Sequence, residues 1–346
     1  MVLVTGVSRD IGGRFARRIA ADPAVDRVIG VDVVPPRGDL GEVSFVRADI
    51  RNPVIAKVIA GQDVDTVVHT SVQAAPGRAG APDGSRTSMK EHNVIGTMQL
   101  LAACQRAPGL ERLVVKSSTA VYGSSSRDPA MFSEDMAPKR QPRSGYAKDV
   151  FEVEGYVRGF ARRRPDVAVT LLRAANTLGA SVSSPLTDYF RLPVVPTVVG
   201  HDARLQFLHL SDLLGALHHA TLGGVHGSFN VAGDGILMLS QALRRLGRPT
   251  LPLPRFAINA AGTLTRRAGV RRLQGELTGY LTFGRGVDTT RMRDVLGFRP
   301  EYTTAAAFTD FGRSLSPGLL PHPLIDPGPD PDSASVPSLT AGGDRA

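Results

Sequence analysis

The first thirteen residues constrain the fold of this chain more than any other segment. A short hydrophobic run, residues 1–5, leads into a glycine turn, and residues 13–21 follow with helical spacing. Gly6 permits the tight turn, and Gly12 lets the new helix pack closely against the strand. The N-terminus of such a helix presents free N–H groups and a positive dipole end, which suit a pyrophosphate. The opening therefore predicts a strand–turn–helix unit that binds a phosphate-bearing ligand.

Short β-branched runs alternate with longer helical patterns through the first half of the chain. This alternation predicts right-handed crossovers and a parallel sheet covered by helices on both faces. The predicted fold class is α/β, a Rossmann-type doubly wound parallel sheet with a smaller interleaved α/β substrate lobe. The predicted strands cover residues 1–5, 27–31, 42–47, 65–69, 113–116 and 167–172, and two long helices cover residues 89–107 and 146–163.

The rhythm of the sequence changes after Arg173, where proline and glycine become frequent. We expect residues 1–175 and about 206–235 to form the dinucleotide-binding domain, and about 176–205 and 236–315 to form the substrate lobe. Residues 316–346 are rich in Pro, Gly and Ser with few large apolar side chains. Such a segment cannot offset its ordering entropy by burial, so we expect a disordered tail.

Composition excludes several classes of protein. The single cysteine, Cys104, allows no internal disulfide framework and is poor material for a metal site, so we expect a buried thiol, no metal and a cytoplasmic location. No signal peptide or membrane-spanning apolar run is visible. The net charge of +9 comes from scattered arginines, with no Trp and 5% aromatic residues, so neither nucleic acid nor a membrane is an expected partner.

Two carboxylates follow the glycine turn at informative distances. Asp32 closes the second predicted strand, twenty residues beyond Gly12. A carboxylate there accepts hydrogen bonds from both adenine-ribose hydroxyls and repels a 2′-phosphate, which favours NAD over NADP. Asp49 and Ile50 follow the third strand, where a side chain can reach the adenine ring. The spacing predicts NAD as the cofactor, with NADP less favoured.

With these motifs the sequence resembles the extended short-chain dehydrogenase/reductase family, the NAD-dependent epimerases and dehydratases typified by UDP-glucose 4-epimerase. The resemblance covers residues 1–315 and implies a nucleotide-sugar as the small-molecule substrate. It also implies a homodimer built on the helices near Met89 and Tyr146. The further matching segments are 67–71, 93–97, 117–123, 172–179, 209–212, 229–231 and 296–300.

The glycine loop departs from the family pattern, because Arg9 and Asp10 occupy the candidate positions of a third glycine. A β-carbon there crowds the pyrophosphate, whereas a guanidinium could bind a cofactor phosphate. Arginine in this loop is typical of NADP users, but we give Asp32 the greater weight. The residues predicted to bind the cofactor are Gly6, Ser8, Arg9, Asp10, Ile11, Gly12, Asp32, Asp49, Ile50, His69, Thr70, Ser71, Asn93 and Asn176.

In the family, a Ser or Thr, a Tyr and a Lys carry the chemistry. Tyr moves the proton of the substrate hydroxyl, Lys lowers the Tyr pKa, and Ser or Thr orients the substrate oxygen. Ser118 falls at the serine position, with Thr119 as a neighbouring alternative, and Tyr146 matches the tyrosine. The lysine belongs four residues later, where this chain has Val150, and Lys148 points toward the far side of the helix. The Tyr-x-x-x-Lys motif is therefore incomplete.

Three alternatives follow from the incomplete motif. Tyr146 could work without the lysine, activated by the positive nicotinamide ring alone. Another group could substitute, with Arg173 and His209 as candidates. Hydride transfer could instead be lost, which leaves a catalytically degenerate NAD(P)-binding protein with a regulatory or binding role. The function expected first is that of an epimerase/dehydratase-type oxidoreductase or isomerase. Its predicted substrate contacts are Thr119, Asn176 and Arg204. Arg204 could bind a nucleotide diphosphate, or it could be a surface charge without a binding role.

Overall fold

The computed structural model describes residues 1–74, 89–139, 141–143, 145–257 and 275–320. Its strands are β1 Val2–Thr5, β2 Val28–Asp32, β3 Ser44–Arg47, β4 Thr66–His69, β5 Arg112–Ser118, β6 Ala168–Ala174, β7 Asn176–Leu178, β8 Val195–Val198, β9 Arg204–Leu205, β10 Phe207–His209, β11 Gly227–Val231, β12 Leu237–Met238 and β13 Thr250–Leu253. Seven of them form a sheet in the order β11-β6-β5-β4-β1-β2-β3, and every pair is parallel. The predicted α/β class is confirmed.

The central strands are hydrophobic along their whole length because helices cover both faces of the sheet. All residues of β1, β2 and β4 are buried, whereas the edge strand β3 is partly exposed. The chain begins in the middle of the sheet and builds outward to β3 before it crosses back to β4. This reversal opens a crevice at the carboxyl ends of the strands, where doubly wound folds bind ligands.

The helices are α1 Asp10–Ala20, α2 Val54–Ala60, α3 Gly96–Gln105, α4 Gly145–Arg163, α5 Pro185–Phe190, α6 Leu210–Gly223, α7 Leu239–Arg245, α8 Gly275–Phe283, α9 Thr290–Asp294 and α10 Thr304–Arg313. The long helix predicted over residues 89–107 differs from expectation, because a π-helical turn, Glu91–Ile95, precedes α3. Such turns often mark functional positions. Of the helices in the described ranges, none has the length and apolarity that a membrane crossing requires.

Two hydrophobic clusters divide the interior. The first lies between the large sheet and its helices and includes Phe15 on α1 and Leu217 on α6. The second contains Phe190, Phe207 and Phe308, and the rings of Phe190 and Phe308 meet edge to face at 5.1 Å. Its members come from four separate stretches of sequence, within residues 178–207, 237–246, 277–281 and 307–311. The domain boundaries given above stay a prediction.

Several smaller expectations can be placed on this framework. Cys104 is fully buried, as predicted. Asp212 accepts the backbone N–H groups of Glu301 and Tyr302, so it joins two distant parts of the chain. At the start of the predicted tail, the carbonyl of Ser316 accepts a hydrogen bond from Arg248. Residues 321–346, which make up the rest of that tail, lie outside the described residues.

Candidate active site

A cavity of about 940 Å³ lies at the carboxyl ends of the central strands. It is bounded by the β1–α1 turn, the ends of β2, β5 and β6, the start of α4 and the segment after β7. The structure thus brings together residues from distant parts of the sequence at one edge of the sheet. The predicted site residues that line it are Ser8, Arg9, Asp10, Ile11, Gly12, Asp32, Thr70, Ser118, Tyr146 and Asn176.

The β1–α1 turn has the geometry of an anion site. Gly6 has a φ of +84°, which a residue with a side chain rarely adopts. A β-carbon on Gly12 would lie 2.2 Å from the carbonyl oxygen of Gly6, so only glycine allows helix and strand this close. Helix α1 begins after Arg9 without any side-chain cap. Its first N–H groups are therefore free to bind a phosphate in the cavity.

Asp32 lies at the opposite side of this turn, at the end of β2. Its carboxylate accepts the N–H groups of Ser8 at 3.1 Å and Val33 at 2.7 Å, and only 7% of the residue is exposed. Arg9 lines the cavity close by, where burial lowers its pKa and the charge of Asp32 opposes that shift. A helix N-terminus beside a fixed carboxylate matches the pyrophosphate and ribose of a dinucleotide. The residues present therefore fit NAD.

Ser118 and Tyr146 form the second half of the site. Ser118 ends β5, and its hydroxyl accepts the N–H of Ala120 at 3.2 Å in the 3₁₀ turn Thr119–Tyr122. Tyr146 lies in the first turn of α4, directly after Gly145, whose φ is +77°. The two residues lie close together, and both line the cavity. The pair predicted from the sequence is assembled in the fold.

The surroundings of Tyr146 oppose its ionisation. Burial raises the pKa of Tyr146 far above its ordinary value of 10. The nearby Ser118 hydroxyl and the charge of Arg285 lower this pKa, while the carboxylates of Glu276 and Asp149 raise it further. Glu276 also accepts the N–H of Ala147 at 3.1 Å, so its charge is fixed at the start of α4. A phenolate at Tyr146 thus needs an additional positive charge.

The position four residues after Tyr146 offers no positive charge. Val150 is fully buried in the first hydrophobic cluster. Lys148 is 40% exposed and pairs with Glu152, so it faces away as predicted. The two candidates named as substitutes are also engaged elsewhere. Arg173 binds Glu154 at 2.8 Å, and His209 bonds with Asp310 at 3.2 Å.

Sequence reasoning overlooked Lys116, which lines the same cavity from β5. Burial lowers its pKa to about 8. The search for a lysine followed the helix that carries Tyr146, whereas this lysine precedes Ser118 by two residues on a strand. Side chains two residues apart on a strand share a face. That alternation was the signal in the sequence that could have found Lys116.

Several predicted cofactor residues support the cavity from behind. His69 bonds with Thr5 and Thr97 at 2.8 Å each, and burial lowers its pKa to about 3. Asn93 donates to the carbonyl of Gln73, accepts the N–H of that residue and donates to Asp149. Because Gln73 lines the cavity, Asn93 fixes part of its wall.

Other predicted cofactor-binding residues lie beside the cavity without lining it. Ser71 lies within 3.0 Å of where a β-carbon on Gly6 would be. Asp49 is paired with Arg51 at 2.7 Å, and its neighbour Ile50 is buried against Gly96. Their roles in cofactor binding stay predictions.

The two remaining predicted substrate contacts, Thr119 and Arg204, bond to other parts of the chain. The carbonyl of Thr119 accepts a hydrogen bond from Arg285 at 2.6 Å. Arg204 pairs through its backbone with Met238 and Gly284. Neither residue is among those that line the cavity, so their contact with a substrate stays a prediction.

Comparison with known proteins identifies the family. The family model described as NAD dependent epimerase/dehydratase matches residues 2–232. The chain belongs to the NAD-dependent epimerase/dehydratase family. The resemblance inferred from the sequence is thereby confirmed, as is NAD, on which this family depends.

Relatives and solved structures agree with this membership. The chain is 50% identical over 328 residues to Uncharacterized protein Rv0501 of Mycobacterium tuberculosis, covering 93% of this chain and 86% of that one. It is 32% identical over 147 residues to UDP-glucose 4-epimerase 2 of Oryza sativa subsp. japonica, covering 42% of this chain and 34% of that one.

Two solved structures share the fold. UDP-glucose 4-epimerase from Thermotoga maritima, with UDP-glucose, has a TM-score of 0.67 at 17% identity and covers 90% of this chain and 97% of its own. The dTDP-glucose 4,6-dehydratase DesIV from Streptomyces venezuelae, with NAD bound, has a TM-score of 0.67 at 23% identity, and the match covers 90% of this chain and 96% of that one. At these identities the likeness concerns the fold alone.

Proposed function

We propose that this protein is an NAD-dependent epimerase or dehydratase that acts on a nucleotide-sugar. The observation that carries the proposal is the pair of Ser118 and Tyr146, which come from β5 and α4 and line the same cavity. This pair opens into the same cavity as the uncapped N-terminus of α1 and Asp32. One cavity thus combines the groups that would hold a dinucleotide with a phenol that can exchange a proton.

The residues suggest a division of roles. Helix α1 and Asp32 would hold the pyrophosphate and the adenine ribose, and NAD, when bound, accepts and returns a hydride. Ser118 would orient the oxygen of a sugar hydroxyl, and Tyr146 would take up the proton of that hydroxyl as it becomes a carbonyl. Asn176, on the opposite wall, would face the substrate or the nicotinamide. In both reactions the hydride would return to the sugar, to the same carbon in epimerisation and to a different carbon, after water has left, in dehydration.

A nucleotide-sugar is the substrate class we infer, because relatives named for UDP-glucose and UDP-arabinose match part of this chain. The test is to supply the purified protein with NAD and a panel of UDP- and dTDP-sugars and to follow the sugars by NMR. We expect conversion of at least one sugar by the wild type. Tyr146→Phe should reduce the rate by about 10² to 10⁴, the usual contribution of a general acid–base group.

Tyr302→Phe is the matched control for this experiment. Tyr302 stacks on His209 at 3.9 Å between ring centroids and is not among the residues that line the cavity. It should retain the wild-type rate. Equal rates for Tyr146→Phe and Tyr302→Phe would contradict the proposed role of Tyr146, and NAD binding without conversion of any sugar would contradict the proposed activity.

A second function, NAD-responsive binding without turnover, is favoured by one specific observation, the buried Val150 at the usual lysine position. Under this alternative NAD binds, yet Tyr146→Phe alters no rate. Val150→Lys would distinguish the two, provided that thermal unfolding shows the variant folded. Activity that appears only in Val150→Lys would favour the binding role for the natural chain.

Assembly is part of the proposal as well. We propose a homodimer through α3 and α4, where a surface groove is lined by Leu101 and Tyr156. Light scattering of the purified protein gives the mass in solution. A monomer at all concentrations would contradict the dimer.

A further inference from the structure

Lys116 occupies an informative position in β5. It precedes Ser118 by two residues, so both side chains leave the same face of the strand. Two residues along a strand span about 6.6 Å. A lysine side chain extended along the strand covers a similar distance, so its ammonium can approach the level of the Ser118 hydroxyl. Residues 116–118 all border the cavity, but Ser117 is buried and its hydroxyl donates to Glu154.

The ammonium group has no protein partner in the described part of the chain. No residue there makes a hydrogen bond or an ion pair with the ammonium of Lys116, although the lysine charge is close enough to His69 to lower the pKa of that residue. Burial of an unpaired ammonium is costly, and this cost lowers the pKa of Lys116 to about 8. A half-buried cation that faces a cavity in this way indicates a ligand or a reacting group inside that cavity.

The other cations that line the cavity lie on its far side. Arg9, Arg14, Arg17 and Arg37 come from the β1–α1 turn, α1 and the segment after β2. Lys116 instead shares its strand with Ser118, which lies close to Tyr146.

The charges around Tyr146 disfavour its phenolate unless a further cation lies nearby. From α4 and α8, the carboxylates of Asp149 and Glu276 disfavour the phenolate. Arg285 favours it, but one arm of its guanidinium already donates to the carbonyl of Thr119. Helix α4 itself supplies Val150 in the place where a lysine would serve.

We propose that Lys116 is the activating cation of Tyr146, supplied by strand β5 instead of helix α4. This inference rests on the proposed function, because it assigns a further residue to the same reaction. Lys116 keeps its proton throughout, so it transfers nothing itself. Its charge stabilises the phenolate that receives the proton of the substrate hydroxyl, and its N–H groups bind oxygen atoms of the ligand in the cavity.

The first test measures the lysine directly and needs no substrate. The chain has five lysines, so NMR of protein labelled at lysine gives few signals, and the Lys116→Met variant identifies the one from Lys116. We expect that signal to titrate near pH 8, and NAD to move its midpoint upward because oxygen ligands favour the charged form. A midpoint above 10 that does not respond to NAD would overturn the inference.

The second test measures Tyr146, also without substrate. Replacing the six tyrosines by a fluorinated tyrosine lowers the phenol pKa into an accessible range, and Tyr146→Phe identifies its ¹⁹F signal. An opposite charge nearby lowers a pKa by about 1 to 3. Lys116→Met should therefore raise the Tyr146 midpoint by about one pH unit or more, whereas the same midpoint in wild type and variant would overturn the inference.

Lys148→Met is the matched control, because Lys148 is an exposed lysine two residues from Tyr146. It should leave both the Lys116 and Tyr146 midpoints unchanged. Thermal unfolding verifies that Lys116→Met is folded, and the wild-type lysine titration decides the first test even if it is not. Because neither readout uses a sugar, a failure to convert any nucleotide-sugar refutes the proposed function separately from this inference.

Discussion

The carboxylate of Asp32 offers the sharpest perturbation of cofactor choice. Asp32→Asn keeps the shape of the side chain and removes its charge. In the structure this carboxylate accepts two backbone N–H groups and lines the cavity beside Arg9 and Arg37. The amide oxygen can replace only part of this acceptor capacity. We therefore expect a variant that still folds but chooses its cofactor differently.

The magnitude follows from the change in charge. Hydrogen bonds to a charged group contribute about 1.5 to 3 kcal/mol and neutral ones about 1, so NAD affinity should fall roughly tenfold. Two unit charges 4 Å apart interact by about 4 kcal/mol at an effective dielectric constant of 20. Removing the repulsion between Asp32 and a 2′-phosphate, with Arg9 and Arg37 nearby, should raise NADP affinity about a hundredfold or more.

Isothermal titration calorimetry with NAD and NADP measures both affinities in wild type and variant. Asp10→Asn is the matched control, because Asp10 also lines the cavity but bonds with Arg14 and Ser181. Its NAD-to-NADP ratio should remain that of the wild type. An unchanged ratio in Asp32→Asn would refute the assignment of the adenine ribose to Asp32.

Three further predictions concern stability. Gly12→Ala brings a β-carbon within 2.2 Å of a backbone oxygen and should lower the free energy of unfolding by about 1 to 3 kcal/mol. Gly155→Ala, on an open face of α4, should raise this free energy by about 0.5 to 1 kcal/mol. Equal effects of the two substitutions in denaturant titration would contradict this prediction. Glu154→Gln leaves Arg173 buried without its counter-ion and should cost about 3 to 5 kcal/mol in the same assay, and a loss below about 1 kcal/mol would argue against a structural ion pair. The pKa of His69 is lowered to about 3 in the folded protein, so the unfolded chain binds the proton first as the pH falls below 6.5. The free energy of unfolding should then decline by up to about 1.4 kcal/mol per pH unit. His69→Gln should reduce this slope in unfolding curves between pH 7 and 4, and an unchanged slope would contradict a neutral His69 ring in the fold.

The sequence predicted the parts of the site that are local in the chain. The glycine turn, α1 and Asp32 lie within about one strand–helix–strand unit, where spacing alone determines which groups meet. Ser118 and Tyr146 were found by their motifs, although only the fold brings β5 and α4 together. The π-helical turn before α3 was not predicted, because its residues read as ordinary helix by pattern.

Lys116 and Asn93 show what local patterns miss. The role of a lysine depends on which strand face meets the cavity and on the charges contributed by α4 and α8, none of which is encoded near residue 116. Asn93 was predicted to bind the cofactor, which stays a prediction, and its contacts with Gln73 and Asp149 were not foreseen. Both cases depend on contacts between elements that are far apart in sequence.

We propose that Tyr146 exchanges a proton with a hydroxyl oxygen of a nucleotide-sugar while NAD exchanges a hydride with the carbon that carries this hydroxyl. The most direct measurement uses a nucleotide-sugar deuterated at the carbon that is oxidised, with NAD and the wild-type protein. We expect a slower rate than with the undeuterated sugar, and a further loss of about 10² or more in Tyr146→Phe. Conversion at the same rate with both sugars and in both proteins would contradict it.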